Sequence, residues 1–103
     1  MDTADIRAKL TGGNYEFSRH ALKRAVERNV SEEEIRQAGS RAEIIEDYPH
    51  DKYSPSCLVL GITDRRRPLH MQVCYTSSEM LKIVTIYEPR ADQWIDPCTR
   101  RRG

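Results

Sequence analysis

His20, Arg24 and Arg28 recur every four residues, so on a helix they stack on one face. An arginine fork can donate two parallel hydrogen bonds to a phosphate. A histidine, whose ordinary pKa is about 6.5, can give or take a proton near neutral pH. The trio therefore reads as a surface that holds a phosphodiester while His20 moves a proton. The same spacing also fits a packing helix with a solvated charged face, on which Glu27 balances the nearby cations.

Three further groups carry comparable chemistry. His70 lies in the alternating run LHMQVCYT beside Gln72. It reads either as a surface residue of an edge strand or as a second acid or base on the same groove wall. Tyr87 and Glu88 end the last apolar run and can orient a scissile group or simply finish the core; Tyr75 has the same two readings. Arg65, Arg66 and Arg67 form a compact basic turn bracketed by Asp64 and Pro68. Arg65 and Arg67 join Arg24 and Arg28 as candidate phosphate ligands; solvation of a hairpin turn explains them equally well.

Other mechanisms find no support. The chain has neither G-x-x-x-x-G-K-[ST] nor G-x-G-x-x-G, so nothing points to a nucleotide or to any other cofactor. It lacks H-E-x-x-H, and its three histidines, His20, His50 and His70, come from distant segments, which ranks a metal site last. Cys57, Cys74 and Cys98 show no C-x-x-C spacing, which argues against a disulfide framework and a structural zinc. Cleavage of RNA needs none of these parts. The 2′-hydroxyl is an internal nucleophile, and a few Arg, His, Tyr or Glu groups suffice to orient it, move protons and stabilise charge without metal.

Helices are expected first in the chain. Asp2–Leu10 reads as a short helix stopped by Gly12 and Gly13, followed by a linker over 14–17 from which Tyr15 and Phe17 anchor onto the core. Phe17–Ala38 reads as a helical hairpin. Ser18 is placed to cap its first helix, and Ala21, Leu22, Ala25 and Val26 are expected to face the sheet. Asn29 ends that helix, and Ser31 with Glu34 forms a capping box for the next. Strands follow at 42–48, 56–63, 69–76 and 80–87. Leu69, Met71, Val73 and Tyr75 are expected on one face. In the last strand Leu81, Ile83, Thr85 and Tyr87 are expected to share a face. The sheet face away from the helices reads as polar and open to a ligand or partner. Short connections make the strands antiparallel neighbours. The outcome is an α+β fold, with N-terminal helices packed on a three- to four-stranded antiparallel sheet. Trp94 is expected to pack on the domain.

The 103 residues fit one domain over 1–103, with a core at about 14–97 and a loose basic tail at 99–103. Net charge is +1 and excludes little, but 13 of the 17 basic residues are arginine. Residues 1–52 carry 9 basic and 11 acidic side chains and residues 53–103 carry 8 and 5, so the second half is mildly basic. No apolar run is long enough to cross a bilayer and the first residues are too polar for a signal peptide, so no membrane partner and a cytoplasmic location are expected.

The run from Phe17 to Ile35, F-S-x-H-A-x-x-R-x-x-E-R-x-V-S-x-x-E-I, resembles the DUF4258 family. So do Glu43–Pro49 (EIIEDYP), Leu58–Gly61 (LVLG), Pro68–His70 (PLH) and Ile83–Pro89 (IVTIYEP). The likeness covers roughly residues 14–97. The family is similar to the small RelE/barnase-like ribonuclease toxins, and some relatives stand beside antitoxin-like partners. The resemblance thus implies a RelE/barnase-like fold and a metal-independent endoribonuclease of toxin type. It places His20, Arg24 and Arg28 at the motif's polar positions, and His70, Tyr87 and Glu88 at its later ones. His20, His70 and Tyr87 become the catalytic candidates, with RNA and an antitoxin-like protein as partners. The alternative is a family member that binds protein or nucleic acid without chemistry.

Overall fold

The computed structural model describes residues 2–51, 54–77, 79–90, 94–96 and 99–100, the last two segments through their backbone. The chain runs α1 (Thr3–Gly12), β1 (Tyr15–Phe17), α2 (Arg19–Glu27), α3 (Glu32–Ser40), β2 (Glu43–Tyr48), β3 (Ser56–Ile62), β4 (Pro68–Tyr75) and β5 (Leu81–Tyr87). Two short strands, β6 (Trp94–Asp96) and β7 (Thr99–Arg100), then pair antiparallel with each other. The expectation that Trp94 packs on the domain, like the fate of 101–103, lies outside the described residues.

Local sequence sets the helix ends. The Asp2 carboxylate accepts from the Ala4 amide at 3.1 Å, and Gly13 closes α1 with φ 76°. Ser18 Oγ accepts from the Ala21 amide at 3.0 Å, which satisfies one of the amides that a helix start leaves open. Asn29 takes φ 53°, a left-handed position that asparagine tolerates, and turns the chain from α2 toward α3. At α3 the capping box is complete: Ser31 Oγ accepts from the Glu34 amide at 3.1 Å, and the Glu34 carboxylate accepts from the Ser31 amide at 3.2 Å.

The fold is mixed α+β, with the helices on one face of a five-stranded sheet ordered β1-β5-β4-β3-β2. Four strands are antiparallel neighbours; β1 runs parallel to β5. The three- to four-strand expectation is thus one strand short, because Tyr15–Phe17 is a strand and not a linker. Three residues cannot show a period-2 pattern. What holds β1 is the backbone: the Leu81 amide donates to the Asn14 carbonyl at 3.1 Å, and the Ser18 amide donates to the Ile83 carbonyl at 3.0 Å.

Ile6 and Leu10 of α1, Ala21 and Ala25 of α2, and Ile35 and Ala38 of α3 form the core with Cys57, Val59, Leu69, Met71, Val73, Leu81, Ile83 and Ile86 of the sheet. On α2 only the alanines are buried. Leu22 and Val26 stay 52% and 69% exposed, contrary to the expectation that all four apolar residues face the sheet. The helix sits close to β5 through its small side chains and turns the larger ones out. Between α3 and β3 the approach is tight: a Cβ on Gly61 would lie 2.2 Å from the Ala38 carbonyl oxygen.

A bulge decides which residues of β5 meet the core. Val73 pairs with Ile83, but Gln72 pairs with Thr85, so Val84 is an extra residue and the alternation shifts by one. Ile86 therefore enters the core, and Tyr87 stands opposite His70 on the other face. The expected shared face of Leu81, Ile83, Thr85 and Tyr87 breaks at this point. That other face is not an open polar surface either. Ser56, Leu58, Leu60, His70 and Cys74 are all buried there.

Candidate functional site

The three residues of the basic helix stripe share a cleft. His20, Arg24 and Arg28 of α2 form one wall of a space of about 260 Å³, and Thr85, Ile86, Tyr87, Glu88 and Arg90 form the other. The wall exists because Ala21 and Ala25 anchor α2 against the sheet, which leaves the residues one position before each, and Arg28 beyond, along the flank facing the end of β5. Ser18 fixes the start of α2 on the same strand: its hydroxyl donates to the Val84 carbonyl at 2.7 Å. Arg24 pairs with Glu27 at 3.3 Å, an exposed contact that leaves the guanidinium available to a ligand.

Arg67 grips two of the residues that line the cleft, Glu88 and Arg28. Its guanidinium donates to the Glu88 carboxylate, to both Glu34 carboxylate oxygens at 3.0 and 3.1 Å, to the Arg28 carbonyl at 2.6 Å and to the Asn29 carbonyl at 3.2 Å. One side chain from the β3–β4 turn thus ties the end of β5, the end of α2 and the start of α3. The turn aims it: the Thr63 hydroxyl accepts from the Arg67 amide at 3.0 Å, and Arg66 takes φ 65°. Burial raises the Glu34 carboxyl, but hydrogen bonds from Arg67 and Ser31 outweigh that and hold it below its ordinary value. Arg65 stands apart, lining a neighbouring cleft with Asn29, Ser31, Gln37 and Arg67.

His70 is fully buried in β4, the central strand, so the reading of it as an edge-strand surface residue is excluded. Its Nδ1 lies 3.3 Å from the Tyr87 hydroxyl, and the two rings meet edge to face at 5.2 Å. Tyr87 lines the cleft along β5 while its hydroxyl turns to His70 across the ladder. His50 lines a different cleft with Tyr48, Asp51 and Gln72. Among the described residues no group of three His, Cys, Asp or Glu side chains is placed to hold a metal ion. The described cysteines suit a core: burial pushes the Cys57 thiol up to about 11 and raises that of Cys74 as well. Among the described residues no helix is long and apolar enough to cross a membrane.

Sequence reasoning named every residue of the α2 wall but missed Arg90 and the clamp that Arg67 places on Glu88. Arg90 follows a strand-ending proline, with no pattern to single it out. The clamp joins residues 21 apart in sequence and shows only in three dimensions.

No curated protein and no solved structure matches the chain. A family model described as a domain of unknown function, DUF4258, matches residues 17–88, which span α2 through β5 and every cleft-lining residue but Arg90. With well over half of its length matched, the chain belongs to the DUF4258 family.

Proposed function

We propose that the protein is a metal-independent endoribonuclease of toxin type, acting in the cleft between α2 and β5 on a RelE/barnase-like scaffold. The observation that carries this reading is the meeting of His20, Arg24 and Arg28 with the Tyr87–Glu88 strand end in one space. Arg24 and Arg28 hold the scissile phosphate and neutralise the charge that builds on it. The Glu88 carboxylate, fixed by Arg67, takes the proton of the 2′-hydroxyl. The 2′-oxygen then attacks phosphorus while the bond to the 5′-oxygen breaks, and His20 as imidazolium protonates that leaving oxygen. The products are a 2′,3′-cyclic phosphate and a 5′-hydroxyl end.

In this reading His70 holds the Tyr87 hydroxyl from beneath the cleft, and neither hydroxyl nor imidazole touches RNA. Arg65 binds backbone beyond the scissile phosphate, and Arg67 positions Glu88. The test is incubation of purified chain with RNA in the presence of a chelator, with cyclic-phosphate ends as the readout. His20→Ala is expected to slow cleavage by about 10²-fold or more, the scale of a lost acid.

One observation favours a second reading, a binding module without chemistry. The large exposed apolar side chains of α2, Leu22 and Val26, serve neither the core nor the cleft.

A further inference from the structure

Leu22 and Val26 are the most exposed large apolar side chains among the described residues. They stand one helical turn apart on α2, so they form a single short ridge. Isolated apolar side chains at a surface need no explanation, but here the arrangement is inverted. The helix buries Ala21 and Ala25 and presents its larger residues to water. Exposed cations flank the ridge: Arg19 and Lys23 lie on the same outer side, and the one acidic residue of the helix, Glu27, is engaged by Arg24.

We infer that the outer face of α2 is a docking surface for a helix of a partner protein that carries an apolar row flanked by carboxylates. Charge decides the occupant. Between Arg19 and Arg28 the chain has four basic side chains against one acidic. A second copy of α2 laid antiparallel on the ridge would bring Lys23 beside its own counterpart, a like-charge contact that disfavours self-association. Glutamates or aspartates beside the partner's apolar row meet those cations, while its aliphatic side chains cover Leu22 and Val26. Phosphates would satisfy the cations but leave the ridge in water. The surface lies on the flank of α2 away from the His20, Arg24 and Arg28 stripe and does not depend on whether the cleft cleaves RNA.

The test uses the whole chain, isotopically labelled, and amide shifts read by NMR. The probe is a designed helix of about 18 residues, long enough to be helical in water, with a leucine row flanked by glutamates. Its control replaces the glutamates by lysines. The glutamate peptide is expected to shift the amides of 19–27 and to bind about tenfold or more tighter than the lysine peptide, and salt should weaken it. The double variant Leu22→Ser, Val26→Ser should abolish those shifts while keeping the parent melting temperature, since both side chains are outside the core. Equal binding of both peptides, no binding, or shifts centred elsewhere would overturn the inference. So would a single-stranded RNA that perturbs Leu22 and Val26 in preference to the peptide, or α2 shifts that depend on protein concentration alone.

Discussion

The Tyr87 hydroxyl lies 3.3 Å from Nδ1 of His70, a histidine with no exposed surface in the middle strand of the sheet. The pair owes its existence to the extra residue at Val84, which turns Tyr87 onto the His70 face. His70 at this depth has little access to a phosphodiester and the Tyr87 hydroxyl is turned toward it, so the pair is expected to act on stability. Tyr87→Phe should cost about 1 kcal/mol, the usual loss for one buried hydrogen bond, and His70→Ala about 2–4 kcal/mol for the cavity it opens. Cleavage by folded Tyr87→Phe should stay within about threefold of the parent, whereas loss of a true acid or base costs about 10²-fold or more. Denaturant melts and RNA cleavage measured on the same samples separate the two.

Arg67 is expected to behave as a keystone and not as a surface charge. Its side chain is 22% exposed, and that of Glu34 is 25% exposed. Arg67→Ala removes a donor from two carboxylates and two carbonyls and should destabilise by about 2–4 kcal/mol, against less than about 1 kcal/mol for an exposed pair. The loss has a pH signature. A carboxyl with a lowered folded pKa stabilises the fold above its unfolded value, about 4.3, and loses that contribution as pH falls through the folded one. Glu34 is lowered in this way. Melts of Arg67→Ala should therefore show a shallower loss of stability below about pH 4.3 than the parent shows. Parallel curves would contradict the assignment.

The helices were legible because their ends are written in short-range chemistry. Ser18, Asn29, Ser31 and Glu34 cap or break the chain using partners within four residues. The strands β2 to β5 were legible from apolar runs separated by turn residues. What stayed hidden needed long-range information. Tyr15–Phe17 is a strand only because β5 offers it an edge. The bulge at Val84 has no signature in IVTIY, yet it decides whether Ile86 or Tyr87 is in the core. The choice of Ala21 and Ala25 over Leu22 and Val26 depends on how closely α2 approaches the sheet. In the site, the stripe of His20, Arg24 and Arg28 was legible from spacing alone. Burial of His70 and the grip of Arg67 on Glu88 were not, since each joins elements far apart in sequence.

Gly61 marks a tight approach of α3 to β3. An added Cβ would meet the Ala38 carbonyl oxygen at 2.2 Å and its carbon at 2.6 Å, and backbone cannot swing aside as a side chain can. Gly61→Ala is thus expected to destabilise by about 3 kcal/mol or to prevent folding, as overpacking of a rigid contact does. Circular dichroism melts decide the matter. A variant with the parent's stability would show that α3 does not lie this close to β3.

Alkaline stability should report on Tyr75. Burial, then the hydrogen bond to Asp5 and the Asp5 charge, push its hydroxyl up to about 12. A phenol harder to ionise when folded leaves stability unchanged below its unfolded value of about 10 and erodes it as pH rises above that. The parent should lose stability between about pH 10 and about 12, and Tyr75→Phe should flatten that decline. A decline of equal slope in both proteins would remove Tyr75 from the account.

The central claim is that the α2–β5 cleft cleaves RNA, and turnover by the His20→Ala and Arg24→Ala variants tests it most directly. Purified parent chain is expected to convert RNA to fragments ending in 2′,3′-cyclic phosphate with chelator present. Each variant, with an unchanged fold by circular dichroism, should be slowed by about 10²-fold or more. A folded parent that cleaves no RNA, or cleavage that survives both substitutions undiminished, would contradict the claim.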